Sequence, residues 1–120
     1  MRYMVLIGHD EKGGNNMTKE EHGALFAAYK KYQDELRKAG VLLGGDPLQP
    51  SSGGARITLA DGKRKVVDGP FSESKEIIGG YFLIEAKSKA EALEWAARCP
   101  AANLDSWSYV EVREIQVLPS

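Results

Sequence analysis

Tyr81-Phe82-Leu83-Ile84-Glu85-Ala86-Lys87-Ser88-Lys89-Ala90-Glu91-Ala92-Leu93-Glu94-Trp95-Ala96 (YFLIEAKSKAEALEWA, residues 81–96) changes its periodicity within one turn of chain. Tyr81 to Ala86 is a short, strongly apolar run, the signature of a strand. Ser88 and Glu91 then stand three residues apart as a capping box, so a helix starts there. It must stop at Cys99-Pro100, because proline carries no N–H for the next helical bond.

The same unit occurs at the start of the chain. Arg2 to Ile7 predicts a strand with apolar residues on both faces, as in a sheet covered on both sides. Gly8 to Met17 reads as a loop. Thr18 with Glu21 is a first capping box, and Leu25, Tyr29, Tyr32 and Leu36 recur at helical spacing as far as Gly40, a good terminator. The expected helix has about twenty residues and one apolar face.

Between the two units, Val41-Leu42-Leu43 begins a second strand that Gly44-Gly45-Asp46-Pro47 is expected to break, followed by the polar loop Pro50 to Gly54. Asp61-Gly62 is a two-residue type I′ hairpin signal; it pairs Ala60 with Lys63 and Ile57 with Val66. Alternation then puts Ile57, Leu59, Val66 and Asp68 on one face. After Trp107 the aliphatic residues fall on even positions (Val110, Val112), but from Ile115 on odd ones (Ile115, Val117). A bulge near Arg113 or Glu114, or a change from core to partner packing, accounts for that slip.

Strand, helix, strand, hairpin, strand, helix, strand is an α+β order in which two helices cover one face of an antiparallel sheet. Trp107 and Tyr109 on the other side of the last strand argue against water there. The expected fold is a ferredoxin-like sandwich that forms a homodimer through the open sheet face, with that face serving as interface and pocket.

The 120 residues suit one domain, long enough to bury about two thirds of the unfolded surface. The 16 basic and 17 acidic residues are interspersed, so no field draws nucleic acid or anionic lipid; Lys63-Arg64-Lys65 is the only basic run. No stretch has the length to cross a bilayer, and Met1 to Gly8 reads as a strand rather than a secretory signal. The single cysteine, Cys99, predicts a buried inert thiol in a cytoplasmic protein.

Asp68-Gly69-Pro70-Phe71, Ser74-Lys75-Glu76, Gly79-Gly80-Tyr81, Glu91 to Ala96 and Cys99-Pro100-Ala101-Ala102 together resemble the DGPF group of the YCII-related family. Tyr3 to Ile7 and Ala39-Gly40-Val41-Leu42 fit the same pattern, so the resemblance covers nearly the whole chain. It implies a dimeric α+β barrel, without a cofactor. The enzymes of the wider family imply small lyase or dehydrochlorinase-type reactions, and the genomic habit of the group implies an association with extracytoplasmic-function sigma factors. The histidine and aspartate thought to act in that wider family fall on Tyr29 and Lys38 here, so that dyad does not transfer.

The residues themselves nominate other groups. Asp68 has two readings, a turn acid before Gly-Pro or a carboxylate raised in pKa on an apolar face and fit for general base work. Asp46 follows two glycines that let a backbone approach closely, and shares a cleft with Asp68 if the second strand neighbours the hairpin. Lys75 is a candidate cation for an anionic ligand. Phe71, Tyr3 and Tyr81 are candidate ligand contacts, with packing as their other role. Gly79-Gly80 reads as a bulge or a tight backbone packing on entry to the strand rather than a phosphate loop, since no helix N-terminus follows it. His9-Asp10-Glu11 alternates in direction along a strand, so no metal site is expected. The expected function is binding of a small organic acid or phenol, with cofactor-free elimination or isomerisation by the carboxylates. The alternative is a non-catalytic accessory protein.

Overall fold

The computed structural model describes residues 1–10, 17–70, 77–104 and 107–119. In chain order the elements are β1 (Arg2–His9), α1 (Lys19–Lys38), β2 (Leu42–Pro47), a 3-10 turn (Ser51–Gly53), β3 (Ala55–Ala60), β4 (Lys63–Asp68), β5 (Ile77–Glu85), α2 (Lys89–Ala97), a second 3-10 turn (Pro100–Asn103) and β6 (Ser108–Glu114). Four strands form an antiparallel sheet in the order β2-β5-β1-β6. This is the ferredoxin-like arrangement, with the hairpin β3–β4 inserted as a separate two-stranded sheet.

Both helices start where the sequence marks them. Thr18 accepts from the Glu21 N–H while the Glu21 carboxylate accepts from the Thr18 N–H, a reciprocal capping box. Ser88 accepts from the Glu91 N–H at 3.2 Å. α1 ends as expected at Gly40, whose φ of 73° carries the chain out of the helix. The N–H groups of Gly40 and Val41 return to the carbonyls of Arg37 and Leu36, which satisfies two of the otherwise unpaired terminal acceptors.

One face of the sheet and the helices make the core. Tyr3 and Val5 of β1, Phe82 and Ile84 of β5, Tyr32 and Leu36 of α1, and Ala92 and Ala96 of α2 are all buried. Tyr32 sets its ring edge-on against Phe82 with centroids 5.2 Å apart, and its hydroxyl donates to the Trp95 carbonyl at 2.9 Å, tying α1 to α2. Cys99 is buried in the same cluster, as expected, and burial pushes its thiol up from the ordinary value.

Alternation along the strands puts Met4, Leu6 and Gly8 of β1, Tyr81 and Leu83 of β5, and Tyr109, Glu111 and Arg113 of β6 on the opposite face, which no helix among the described residues covers. Tyr109 lies across Gly8: a Cβ on that glycine would run into the tyrosine ring.

Three local expectations need correction. β2 continues through Gly44-Gly45-Asp46-Pro47 rather than breaking there, because its register against β5 shifts at Leu43 and the glycines keep pairing. β6 holds an unbroken register from Ser108 to Glu114, so no bulge sits at its end; the sequence slip marks the end of the strand, after which Ile115 still donates to the Arg2 carbonyl while Val117 and Leu118 are exposed. And β2 does not neighbour the hairpin: its partner is β5.

The hairpin itself matches expectation residue by residue. Ala60 pairs with Lys63 and Ile57 with Val66, and Asp61 and Gly62 have φ values of 51° and 76°, both positive as a type I′ turn requires. What differs is the surroundings. Every residue of β3 and β4 is exposed. The molecule measures 48 × 47 × 20 Å with a radius of gyration of 16.2 Å, against about 14 Å for a compact domain of this length.

Candidate functional site

Asp46 on β2 and Tyr81 on β5 are paired directly across the two strands, and both side chains point to the open face. The Tyr81 hydroxyl donates to Asp46 Oδ2 at 3.2 Å. That bond to a carboxylate, together with its negative charge, pushes the phenol above its ordinary value, so Tyr81 is a neutral donor across the physiological range.

Backbone geometry positions the pair. A Cβ at Gly45 would sit 2.7 Å from the Tyr81 carbonyl oxygen, so the glycine lets β2 lie close against β5 at this point. Gly44, on the open face beside Leu83, has free space where a side chain would stand, which leaves the floor next to Asp46 uncovered. The surroundings are apolar: Leu6 and Leu83 are half-buried neighbours of Tyr81. Charges occupy the rim. Glu111 pairs with Arg113 at 3.4 Å and Glu85 with the N-terminal ammonium at 2.7 Å, whereas Asp46 forms no ion pair among the described residues. A carboxylate with free lone pairs and a phenol that donates to it can together accept a proton and hydrogen-bond an oxyanion.

The other candidates lie elsewhere. Asp68 ends β4 opposite Ala55, exposed and on the same hairpin face as Ile57, Leu59 and Val66; it belongs to a different sheet from Asp46. The neighbouring Gly69 has a clear structural part: its N–H donates to the Gly54 carbonyl at 2.8 Å, and a Cβ there would collide with the Ser51 carbonyl. Tyr3 faces the helices, 2 % exposed, with its hydroxyl on Glu114 at 3.2 Å. Phe71 and Lys75 lie outside the described residues.

Tyr29, at the position of the wider family's histidine, stacks on Phe82 at 6.4 Å, and burial pushes its phenol up. It is a core contact on the helix-covered face. No cluster of three metal-binding side chains occurs among the described residues.

Sequence reasoning gave His9 no role beyond a rejected metal triplet. The structure packs it tightly: the ring lies where a Gly79 side chain would be, edge-on to Trp107 with centroids 6.4 Å apart, and its buried Nδ1 has no hydrogen-bond partner among the described residues. The expected bulge at Gly79-Gly80 makes that room, since Ile7 pairs with Gly80 and Gly8 with Ile78, leaving Gly79 unpaired. A groove of about 460 Å³ opens nearby at the hairpin root, lined by Leu48, Ser51, Arg56, Ile77 and Ile78. It contains neither Asp46 nor Tyr81, and among the described residues of its lining Arg56 is the one charged group.

Fold and site together define a ferredoxin-like α+β domain with an uncovered sheet face that carries one Tyr–Asp pair. The chain belongs to the YCII-related domain family, whose model matches residues 1–116. It is 35% identical over 115 residues to an uncharacterised protein of Rhizobium meliloti (strain 1021), an alignment that covers 96% of this chain and 92% of that one. No helix among the described residues is long and apolar enough to cross a membrane.

Proposed function

We propose that the protein binds a small organic acid or phenol at the Asp46–Tyr81 pair, between two copies whose open sheet faces meet, and that the pair performs cofactor-free proton transfer on it. The observation that carries this reading is the 3.2 Å hydrogen bond from Tyr81 to Asp46 beside the apolar Leu6 and Leu83, on the sheet face opposite the helices. Pockets of this type are apolar with a few convergent polar groups. In such a reaction Asp46 Oδ2 takes a proton from the carbon next to the ligand's carbonyl. The Tyr81 hydroxyl, released from the carboxylate, hydrogen-bonds the oxyanion that develops, and Asp46 returns the proton to a neighbouring carbon or to the leaving group.

The test titrates a panel of small phenols and carboxylic acids into isotope-labelled protein and follows the amide resonances. At least one compound should shift Gly44, Asp46 and Leu83, and the shifts should vanish in Asp46→Asn and Tyr81→Phe with folding unchanged. Shifts confined to the groove at Leu48 and Ile78, or surviving both substitutions, would overturn the assignment.

A further inference from the structure

The hairpin β3–β4 is amphipathic and stands alone. Ile57, Leu59 and Val66 share one face with Arg64 and Asp68, and they are 62%, 72% and 59% exposed; the other face carries Arg56, Thr58, Lys63 and Lys65 with Val67. A lone two-stranded hairpin is marginal in water and needs a cover over its apolar side. The chain itself carries a matching surface. Its open sheet face offers Met4, Leu6 and Leu83 as an apolar floor, with Asp46 on the rim lacking a cation among the described residues. Conversely, none of Lys63, Arg64 and Lys65 has an acid partner among the described residues.

We infer that the hairpin is an arm that lies across the open sheet face of a second copy, setting Ile57, Leu59 and Val66 on that copy's apolar floor and bringing the Arg64 cation to the rim at Asp46. The inference rests on the reading of the open face as an interface, and it adds that the arm supplies part of the cover and a charged residue of the site. Each copy has one arm and one face, so a two-fold arrangement satisfies both at once and closes on itself, as an isologous interface does. An approaching guanidinium stabilises the Asp46 carboxylate and gives an anionic ligand a counter-charge, where no described residue of the same chain forms an ion pair with Asp46.

Sedimentation equilibrium on the whole chain decides it, with four variants. Ile57→Glu/Leu59→Glu changes only the arm and lies outside the core, so it should keep the far-ultraviolet spectrum while weakening the dimer at least 100-fold. Arg64→Glu should weaken it about tenfold, and Arg64→Glu combined with Asp46→Arg should recover most of that loss. Leu6→Glu tests the sheet face alone. A dimer broken by Leu6→Glu but untouched by the arm variants keeps the face as interface and overturns the arm; a dimer broken by the arm variants but indifferent to Leu6→Glu, or a monomeric wild-type protein, overturns both. Should the arm variants misfold, isotope-filtered NOEs between labelled and unlabelled copies decide instead: contacts from the Ile57 and Leu59 methyls to Leu6 or Leu83 support the arm, and their absence overturns it.

Discussion

Replacing Gly69 by alanine separates a structural role for the Asp68-Gly69-Pro70 turn from a ligand-binding one. The added Cβ would be built into the Ser51 carbonyl, a backbone group held by its own 3-10 turn, so the clash cannot be relieved by rotating a side chain. Overpacking of this kind costs about 1–3 kcal/mol. Part is offset, because Gly69 is not in the left-handed region and alanine there narrows the unfolded ensemble, a gain of about 0.4–1 kcal/mol. The net loss therefore centres on about 1.3 kcal/mol, a factor of about 10 in the local opening equilibrium. It should be local, since the 2.8 Å bond from Gly69 N–H to the Gly54 carbonyl closes the root of the hairpin and not the core. Native-state hydrogen exchange is the assay. Amides of β3 and β4 should lose protection by that factor, while those of Val5 and Ile84 keep theirs. Gly53→Ala is the control: no atom lies within 4 Å of its Cβ, so protection should hold or rise. Equal behaviour of the two variants would refute the reasoning.

Two further outcomes follow from the core. Leu36→Ala removes a fully buried side chain between α1 and the sheet and should cost about 3–5 kcal/mol in denaturant melts; a loss below 1 kcal/mol would mean that α1 does not seal that face. Stability should also fall in alkali. Burial holds the Tyr29, Tyr32 and Cys99 acids above their ordinary values of 10.0 and 9.0, so the folded chain retains protons that the unfolded chain releases. Their contribution is fully present below about pH 9 and is lost as pH rises through the folded values. Tyr32→Phe should flatten that decline measured by chemical denaturation between pH 8 and 11, and an unchanged slope would rule the tyrosine out as a source.

Local rules were enough for much of the fold. Thr18, Ser88 and Gly40 set the helix ends through bonds made within a few residues, and Asp61-Gly62 fixed the hairpin register because a two-residue turn leaves no freedom. Burial was harder to read. Ile57, Leu59 and Val66 have the same alternation as a core hairpin, and sequence cannot say whether the apolar side of a hairpin meets its own chain or another. Tyr3 and Tyr81 are a similar case: both are strand tyrosines, and only the parity of their strands sends one to the helices and the other to the open face.

Asp46 shows how narrowly a site can depend on register. With Leu42 opposite Ile84, an unbroken antiparallel ladder would put Leu43 against Leu83, Gly45 against Tyr81 and Asp46 against Gly80. Gly80 is buried on the helix-covered side, so the carboxylate would point into the core with no partner. The shift at Leu43 inserts one residue, and a one-residue slip moves every later side chain to the other face. It turns Leu43 out to solvent at 49% exposure, puts Gly45 on Phe82, and brings Asp46 opposite Tyr81. The bare Gly44-Gly45 pair makes this possible, since no side chain has to be buried or stranded as the strand resumes. The close backbone approach that the glycines permit is that of β2 to β5, and the Tyr–Asp pair on the open face is the result.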